Sequence, residues 1–114
     1  MKINLSYLEE ITSGDKEMIL EMIDLFIKDI PVHKAKLKEY HSTNSLDKLG
    51  AEAHKLKPTM QYIGLISVFE IVKEIEGSCK TKEGTDQLTD LIHKLETNLD
   101  NCMIALKKLR ADFN

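Results

Sequence analysis

His54 and Lys57 are the residues whose types and spacing could do chemistry in this chain. They stand three positions apart in the run His54-Lys55-Leu56-Lys57, which places them one turn apart on a helix. A neutral imidazole is a good nucleophile near neutral pH, and an ammonium group can offset the charge of a phosphoryl group. The pair therefore suits phosphoryl transfer, but on spacing alone a surface histidine and lysine on a solvated helix is the commoner meaning.

The pattern around His54 predicts that this side chain points away from a core. Gly50, Ala51, Pro58 and Gln61 should share its exposed face, at about 100° per residue. A glycine inside a helix costs about 1 kcal/mol relative to alanine, so we expect Gly50 to leave room for a docked surface. A larger residue there should then leave the fold and its stability nearly unchanged. The core-facing stripe, centred roughly 130° from His54, consists of Leu46, Leu49, Ala53, Leu56, Met60 and Ile63.

The N-terminal half of the chain predicts two helical segments before this one. An apolar pattern that stops at Gly14 predicts a short first helix, and Asp15 is placed to cap a second helix running to about Ile30. Its core-facing stripe should include Met18. Pro31 should restart or kink the helix before the pattern continues to Tyr40.

The remaining boundaries are predicted by caps and glycines. Asn44 is typical of an N-cap for the helix that carries His54, and Gly64 should end or bend it. A further helix should reach Gly77-Ser78, followed by a polar loop from Lys80 to Thr85 and a last helix from Leu88 to about Arg110. No segment alternates with a period of two. The sequence therefore predicts an all-α, up-and-down antiparallel four-helix bundle with a short extra N-terminal helix, as a single domain over residues 1–114.

Composition limits the class of protein. The 114 residues are 42% hydrophobic and 31% charged, which suits one soluble domain, and no apolar run approaches the length of a membrane span, so we expect a cytoplasmic protein. The net charge of -3 argues against general nucleic-acid binding. Seven lysines against four acids between Lys28 and Lys57 could complement an acidic partner, although a solvated face is the commoner meaning. Cys79 and Cys102 should be buried free thiols.

The whole stretch around His54 resembles the signature of histidine-containing phosphotransfer (HPt) domains. Small residues precede the histidine, Thr59 follows the lysine, and Ile63-Gly64-Leu65 closes the helix. The layout is also similar over nearly the whole chain. In that family the histidine carries a phosphoryl group between aspartates of receiver domains in a phosphorelay, and the carrier has no ATP site of its own.

The resemblance implies a role for several residues here. His54 matches the phosphoacceptor, Lys57 matches the lysine that supports the phosphoryl charge, and Gln61 matches a polar position nearby. Pro58 departs from the family, where many members have glycine, and it removes the amide that would bond the carbonyl of residue 54. We therefore expect a kink or loosened turn after His54. The expected docking surface comprises Gly50, Ala51, Pro58, Tyr7 and Ile11.

The resemblance also implies partners. These would be response-regulator receiver domains and a hybrid sensor histidine kinase, with Mg²⁺ supplied by the receiver and no cofactor or metal of the chain's own. We expect a monomer that neither binds nucleic acid nor inserts into membranes. His33, His41 and His93 should be ordinary surface residues. The alternative is a non-catalytic helical interaction module of the same fold; a metal-binding bundle lacks support, because inward-facing Glu-x-x-His pairs are missing from the sequence pattern.

Overall fold

The computed structural model describes residues 1–113, and this part of the chain contains helices and no strand. The short helix α1 is followed by four long helices, with a 3₁₀ turn before the last. The elements are α1 (Ser6–Ile11), α2 (Lys16–Ser42), α3 (Leu46–Tyr62), α4 (Ile66–Thr81), the 3₁₀ turn (Thr85–Gln87) and α5 (Leu88–Asp112). None of the helices in this range combines the length and apolar character needed to cross a bilayer.

The four long helices form an antiparallel bundle in which each helix packs on two neighbours. Residue numbers rise along one helix as they fall along the next. The contacts that show this are His33–Glu52 and Phe26–Tyr62 between α2 and α3, Gly50–Cys79 and His54–Glu76 between α3 and α4, and Asp24–Arg110 and Lys34–Asp100 between α2 and α5. The all-α, up-and-down fold expected from the sequence is confirmed, with extents of 44 × 22 × 20 Å.

The core is built from the apolar stripes of the helices. Five of the six predicted residues of the α3 stripe are buried, and Leu46 is partly buried at its start. Leu8 of α1 is also buried, so it packs over the bundle as expected. On α2 the prediction was wrong at Met18, which is 48% exposed while its neighbour Ile19 is buried. The α2 stripe consists of Ile19, Ile23, Phe26, Ile30 and Leu37.

Residues in the left-handed conformation end α2 and α3, so they set both the start and the end of the segment that carries His54. Gly64, at φ 71°, ends α3, and the amide of Leu65 donates to the carbonyl of Met60 at 2.9 Å. Asn44, at φ 55°, closes α2 in the same way. The prediction that Asn44 caps α3 is therefore wrong, because asparagine tolerates the left-handed conformation and is used here to end the preceding helix. Ser45 takes the N-cap position, without a side-chain hydrogen bond to the first amides of α3.

The two prolines do not break the helices. α2 runs continuously from Lys16 to Ser42 through Pro31, so the expected restart is wrong. Pro31 is exposed, and because it has no N–H the helix loses one backbone hydrogen bond there. The buried side chains before and after it keep one continuous face packed against the core. α3 likewise continues through Pro58 to Tyr62. Pro58 removes one hydrogen bond to the carbonyl of His54, but the helix continues for a further turn after it.

Gly64 provides a test of how α3 is ended. A Cβ atom there would lie 2.6 Å from Cβ and 2.8 Å from the carbonyl oxygen of Asn4, whose own amide donates to Ile63. We expect Gly64→Ala to lower the free energy of unfolding by more than about 1 kcal/mol, the cost of a left-handed conformation alone. Urea denaturation would measure it.

Gly77→Ala is the matched control, because Gly77 lies inside α4 and an added Cβ meets nothing within 4 Å. It should raise the free energy of unfolding by up to about 1 kcal/mol through helix propensity. Equal effects of the two substitutions would contradict the role assigned to Gly64.

Candidate functional site

His54 lies on the outer face of α3, as the angular pattern predicted. Its side chain is 69% exposed, whereas the adjacent stripe residues Ala53 and Leu56 are fully buried. The helix thus separates a core side from a face that a partner can reach. The imidazole is presented on that accessible face.

Glu76 of α4 binds both residues of the predicted pair. One carboxylate oxygen, Oε2, accepts a hydrogen bond from Nδ1 of His54. The other, Oε1, accepts one from Nζ of Lys57 at 2.5 Å. The Glu76 and Lys57 side chains are partly buried, at 22% and 25% exposed, so the contact between them is better protected from solvent than a fully exposed ion pair.

The contact with Glu76 assigns the tautomer of His54. An ionised carboxylate can only accept hydrogen bonds, so Nδ1 must carry the proton. In a neutral ring the lone pair then lies on Nε2. This is the chemistry of a histidine whose second nitrogen is ready to act as a nucleophile.

The pKa of Glu76 lies below the usual range of a carboxyl group. The hydrogen bond from Lys57 is the main cause, partial burial opposes it, and the contact with His54 lowers the pKa further. Glu76 is therefore ionised at neutral pH. Its negative charge stabilises a positive charge on the imidazole or on Lys57.

The approach of α4 to α3 depends on Gly50. A Cβ atom on Gly50 would lie only 2.9 Å from the Cβ atom of Cys79, so any side chain would push the two helices apart. The expectation that a larger residue at position 50 leaves stability unchanged is therefore wrong. Gly50 is a packing residue, one turn before His54, that lets Glu76 reach across to the site.

Three of the five residues expected to form a docking surface line two grooves. Gly50 and Ala51 line a groove between α3 and α4 that includes His54 itself. Tyr7 and Gln61 line a second groove between α1 and the end of α3.

Tyr7, Ile11 and Pro58 are all exposed, and the ring of Tyr7 stacks on Tyr62 with centroids 5.8 Å apart. The structure brings His54 and Lys57 together through Glu76. Gln61 is exposed and lies outside this set of contacts among the described residues.

Two of the other histidines are not ordinary surface residues. His33 is 19% exposed and its Nδ1 donates to Oε2 of the buried Glu52 at 2.5 Å, so the surface prediction is wrong for it. Together with Nζ of Lys55, which lies 4.0 Å from Oε1, this contact compensates the burial of the Glu52 carboxylate. His41 is partly buried and lies 3.3 Å from the hydroxyl of Thr89. His93 is exposed, as expected.

Glu76 was not predicted as a site residue. It lies beside Ile75 at the edge of the apolar stripe of α4, a position that many charged residues occupy on amphipathic helices. Its importance follows from the register between α3 and α4, which helical periodicity within each segment does not determine. An acid at the boundary of a stripe, on the helix next to the histidine, is the one signal that could have found it.

Both cysteines are buried free thiols, as predicted. Burial raises the pKa of Cys102 to about 12, and burial is also the main reason that the pKa of Cys79 is raised. Both thiols therefore stay protonated at neutral pH. They act here as small apolar side chains.

Solved structures of phosphotransfer proteins share this fold. Histidine-containing phosphotransfer protein B from Pseudomonas aeruginosa is 19% identical with a TM-score of 0.86, over 98% of this chain and 96% of that one. The HPT domain of a sensor hybrid histidine kinase from Shewanella is 20% identical with a TM-score of 0.84, over 96% and 94%. At these identities the likeness concerns the fold. No curated protein sequence matches the chain significantly.

The family is established by the sequence itself. The family model of the Hpt domain matches residues 21–111. This chain belongs to the Hpt domain family, the phosphotransfer modules of two-component signalling. The resemblance noted from the residues around His54 is thereby confirmed.

The shared carboxylate predicts a pH-dependent contribution to stability. Glu76→Gln should lower the free energy of unfolding at neutral pH, and this loss should shrink as the pH falls through and below the ordinary range of a carboxyl group. The folded protein keeps Glu76 ionised where the unfolded chain already binds a proton. The contribution is therefore present above the unfolded pKa and disappears as the pH falls through the lowered folded pKa.

Urea unfolding of both proteins across this pH range would measure the effect. Glu74→Gln is the control, because Glu74 is exposed on the same helix. A difference between wild type and Glu76→Gln that stays constant with pH would show that the charge of Glu76 contributes nothing.

Proposed function

We propose that this chain carries a phosphoryl group on Nε2 of His54 between the aspartates of receiver domains in a phosphorelay. One observation supports this above the others: Glu76 holds the Nδ1 proton and leaves the lone pair of Nε2 on an exposed ring. A partner can reach that nitrogen without any rearrangement of the bundle.

The reaction has two reversible steps. In the first, the Nε2 lone pair attacks the phosphorus of the receiver's aspartyl phosphate. The P–N bond forms, the P–O bond to the aspartate breaks, and its electron pair leaves with the carboxylate. The same step in reverse passes the group to the aspartate of a second receiver.

Glu76 stabilises the charge that this reaction creates on the ring. Nδ1 keeps its proton throughout, so the imidazole becomes cationic when Nε2 is phosphorylated. The carboxylate bound to Nδ1 faces that positive charge. The same contact orients the ring, which makes Glu76 a positioning residue for His54.

Lys57 is placed to support the transferred group. Lys57 lies one turn after His54 on α3, and its ammonium binds the other oxygen of the Glu76 carboxylate. An ammonium near a phosphoryl group offsets the negative charge of that group. Gln61 is one further turn away, and we assign it a supporting polar role in contact with the partner rather than with His54.

The chain relies on its partners for the remaining chemistry. We propose that the receiver supplies the Mg²⁺ that binds the phosphoryl oxygens, and that the carrier uses no ATP site or cofactor of its own. Receiver domains and a hybrid sensor histidine kinase are the proposed partners. We assign the exposed residues Ala51, Pro58, Tyr7 and Ile11 to the docking surface for these partners, with Ala51 and Gly50 lining the groove beside His54.

Removal of the nucleophile tests this proposal. Incubation with a phosphorylated receiver should label the wild type and leave His54→Gln unlabelled, because glutamine has no nucleophilic nitrogen of this kind. His93→Gln is the matched control, since His93 is exposed on α5, and it should be labelled like the wild type. Labelling that survives His54→Gln would show that another residue accepts the phosphoryl group and would overturn the assignment of His54. A wild type that no receiver labels would favour the non-catalytic interaction module.

Removal of Glu76 tests how the ring is positioned. Glu76→Ala should slow transfer by about 10- to 100-fold, the loss typical when a group that orients a histidine is removed. Glu76→Gln keeps a hydrogen-bonding side chain and should recover part of the rate. The affinity for an unphosphorylated receiver should stay the same in both variants.

Phosphoryl-transfer assays quenched at set times, over a range of pH, would measure these rates, with Glu74→Ala as the control on the same helix. A rate unchanged in Glu76→Ala would show that the contact does not position His54. A loss confined to receiver affinity would show instead that Glu76 acts in docking.

A further inference from the structure

We propose that His33 of α2 is a positioning residue for His54, because its contact with Glu52 fixes the rotation of α3 about its own axis. This inference rests on the proposed function and adds to it a residue that lies outside the contacts of His54 itself. His33 acts through Glu52, and Glu52 acts through the backbone of α3.

A contact between a carboxylate and an imidazole holds α3 on each of its two flanks. On the α2 side, Oε2 of Glu52 accepts a hydrogen bond from Nδ1 of His33 at 2.5 Å. On the α4 side, Oε2 of Glu76 accepts one from Nδ1 of His54. The helix that carries the nucleophile thus gives a carboxylate to one neighbour and an imidazole to the other.

Glu52 depends on His33 for its hydrogen bond to another helix. The Glu52 side chain is 3% exposed, so its carboxylate is removed from water and needs a donor. Lys55 lies 4.0 Å from Oε1, but it belongs to α3 and moves with that helix. Only the contact with His33 can therefore relate the position of this carboxylate to α2.

This contact defines the rotation of α3 more sharply than the apolar packing around it. Within residues 1–113, it is the only side-chain hydrogen bond between α2 and α3. Other contacts, such as the stacking of Phe26 on Tyr62 at 6.1 Å between ring centroids, are apolar. Apolar burial has no preferred direction, whereas a hydrogen bond weakens steeply with distance and angle.

Glu52 and His54 lie on opposite flanks of α3, so a single rotation affects both. Two residues correspond to about 200° around a helix. A rotation that carries Glu52 outward on the α2 side therefore carries His54 inward on the α4 side. A rotation of about 20° moves an atom at the helix surface, about 5–6 Å from the axis, by about 2 Å, which is enough to break a hydrogen bond.

A broken contact with Glu76 changes the chemistry of His54. Glu76 holds the proton on Nδ1 and leaves the lone pair on Nε2. A neutral imidazole without this partner carries its proton on either nitrogen, and in one of the two forms Nε2 has no lone pair for attack. His33 therefore influences the nucleophile by keeping the ring within reach of Glu76.

Replacing the polar pair with an apolar one separates positioning from stability. His33→Leu alone would leave the Glu52 carboxylate buried without its donor and would destabilise the bundle. The double variant His33→Leu with Glu52→Met replaces both partners with apolar side chains, a change that is often neutral or stabilising. We expect its midpoint of urea unfolding to equal or exceed that of the wild type.

The tautomer of His54 is the readout that a purely structural role of His33 would not change. The ¹⁵N chemical shifts of the two ring nitrogens, measured at a pH above the titration of the ring, show which nitrogen carries the proton. We expect the Nδ1–H form in the wild type and a mixture of both forms in the double variant.

Two phosphoryl donors connect the tautomer to transfer. One is a phosphorylated receiver, and the other is phosphoramidate, whose P–N bond breaks as the bond to Nε2 of His54 forms. Its nitrogen leaves as ammonia with the electron pair of the broken bond. Labelling of the double variant by both donors should slow by about tenfold or more, because the reacting nitrogen is misplaced.

Two single substitutions serve as controls. His33→Asn keeps an N–H donor close to the position of Nδ1, so it should restore the wild-type tautomer and both rates. His41→Leu removes another histidine of α2, one that lies 3.3 Å from the hydroxyl of Thr89 on α5. It should change neither the tautomer of His54 nor the rates.

Several results would overturn the inference. The double variant could keep the wild-type tautomer and rates, or it could unfold at a lower urea concentration than the wild type, which would show that the contact serves stability. Slow transfer from the receiver with normal phosphoramidate labelling would place the fault in docking instead. If no receiver labels the wild type, the proposed function fails, whereas the tautomer and the phosphoramidate rate still decide the role of His33.

Discussion

One carboxylate bound to two cationic or proton-donating groups is the interaction on which the site depends. Glu76 lies on α4, whereas His54 and Lys57 lie on α3, so the arrangement exists only while these helices keep their spacing and register. Gly50 sets that spacing by letting the backbone of α3 approach Cys79. The close contact of Gly50 with Cys79 involves no polar group of the site, yet it brings Glu76 within reach of the imidazole and thus determines which nitrogen holds the proton.

The bundle holds the register through its helix ends as much as through its core. Asn44 and Gly64, both left-handed, fix where α2 and α3 stop, and the segment before α1 is tied to the end of α3 by the amide of Asn4. Between these ends, the buried contact of His33 with Glu52 joins α2 to α3 on the side away from Glu76. α3 is therefore fixed at its ends and on both flanks, and only its outer face is left for a partner.

Periodicity was sufficient to predict the class of fold, the core stripe of α3 and the exposure of His54, because each depends on residues close together in sequence. Periodicity could not predict the role of Glu76 in the site or the burial of His33, since both depend on contacts between helices. Asn44 was misassigned because the same residue type favours a helix start and a left-handed helix end. Pro31 was overestimated as a breaker because the loss of one amide is a local effect, whereas the buried face of α2 spans the whole helix.

The single exposed nitrogen of His54 has a kinetic consequence for the proposed relay. Two receivers that need the same atom and the same face cannot be bound together, so the donor must leave before the acceptor arrives. Exchange then follows a ping-pong order, and the lifetime of each complex limits the flux. An interface that bound either receiver too tightly would stall the relay, which favours modest affinity and rapid dissociation over a large, permanent contact.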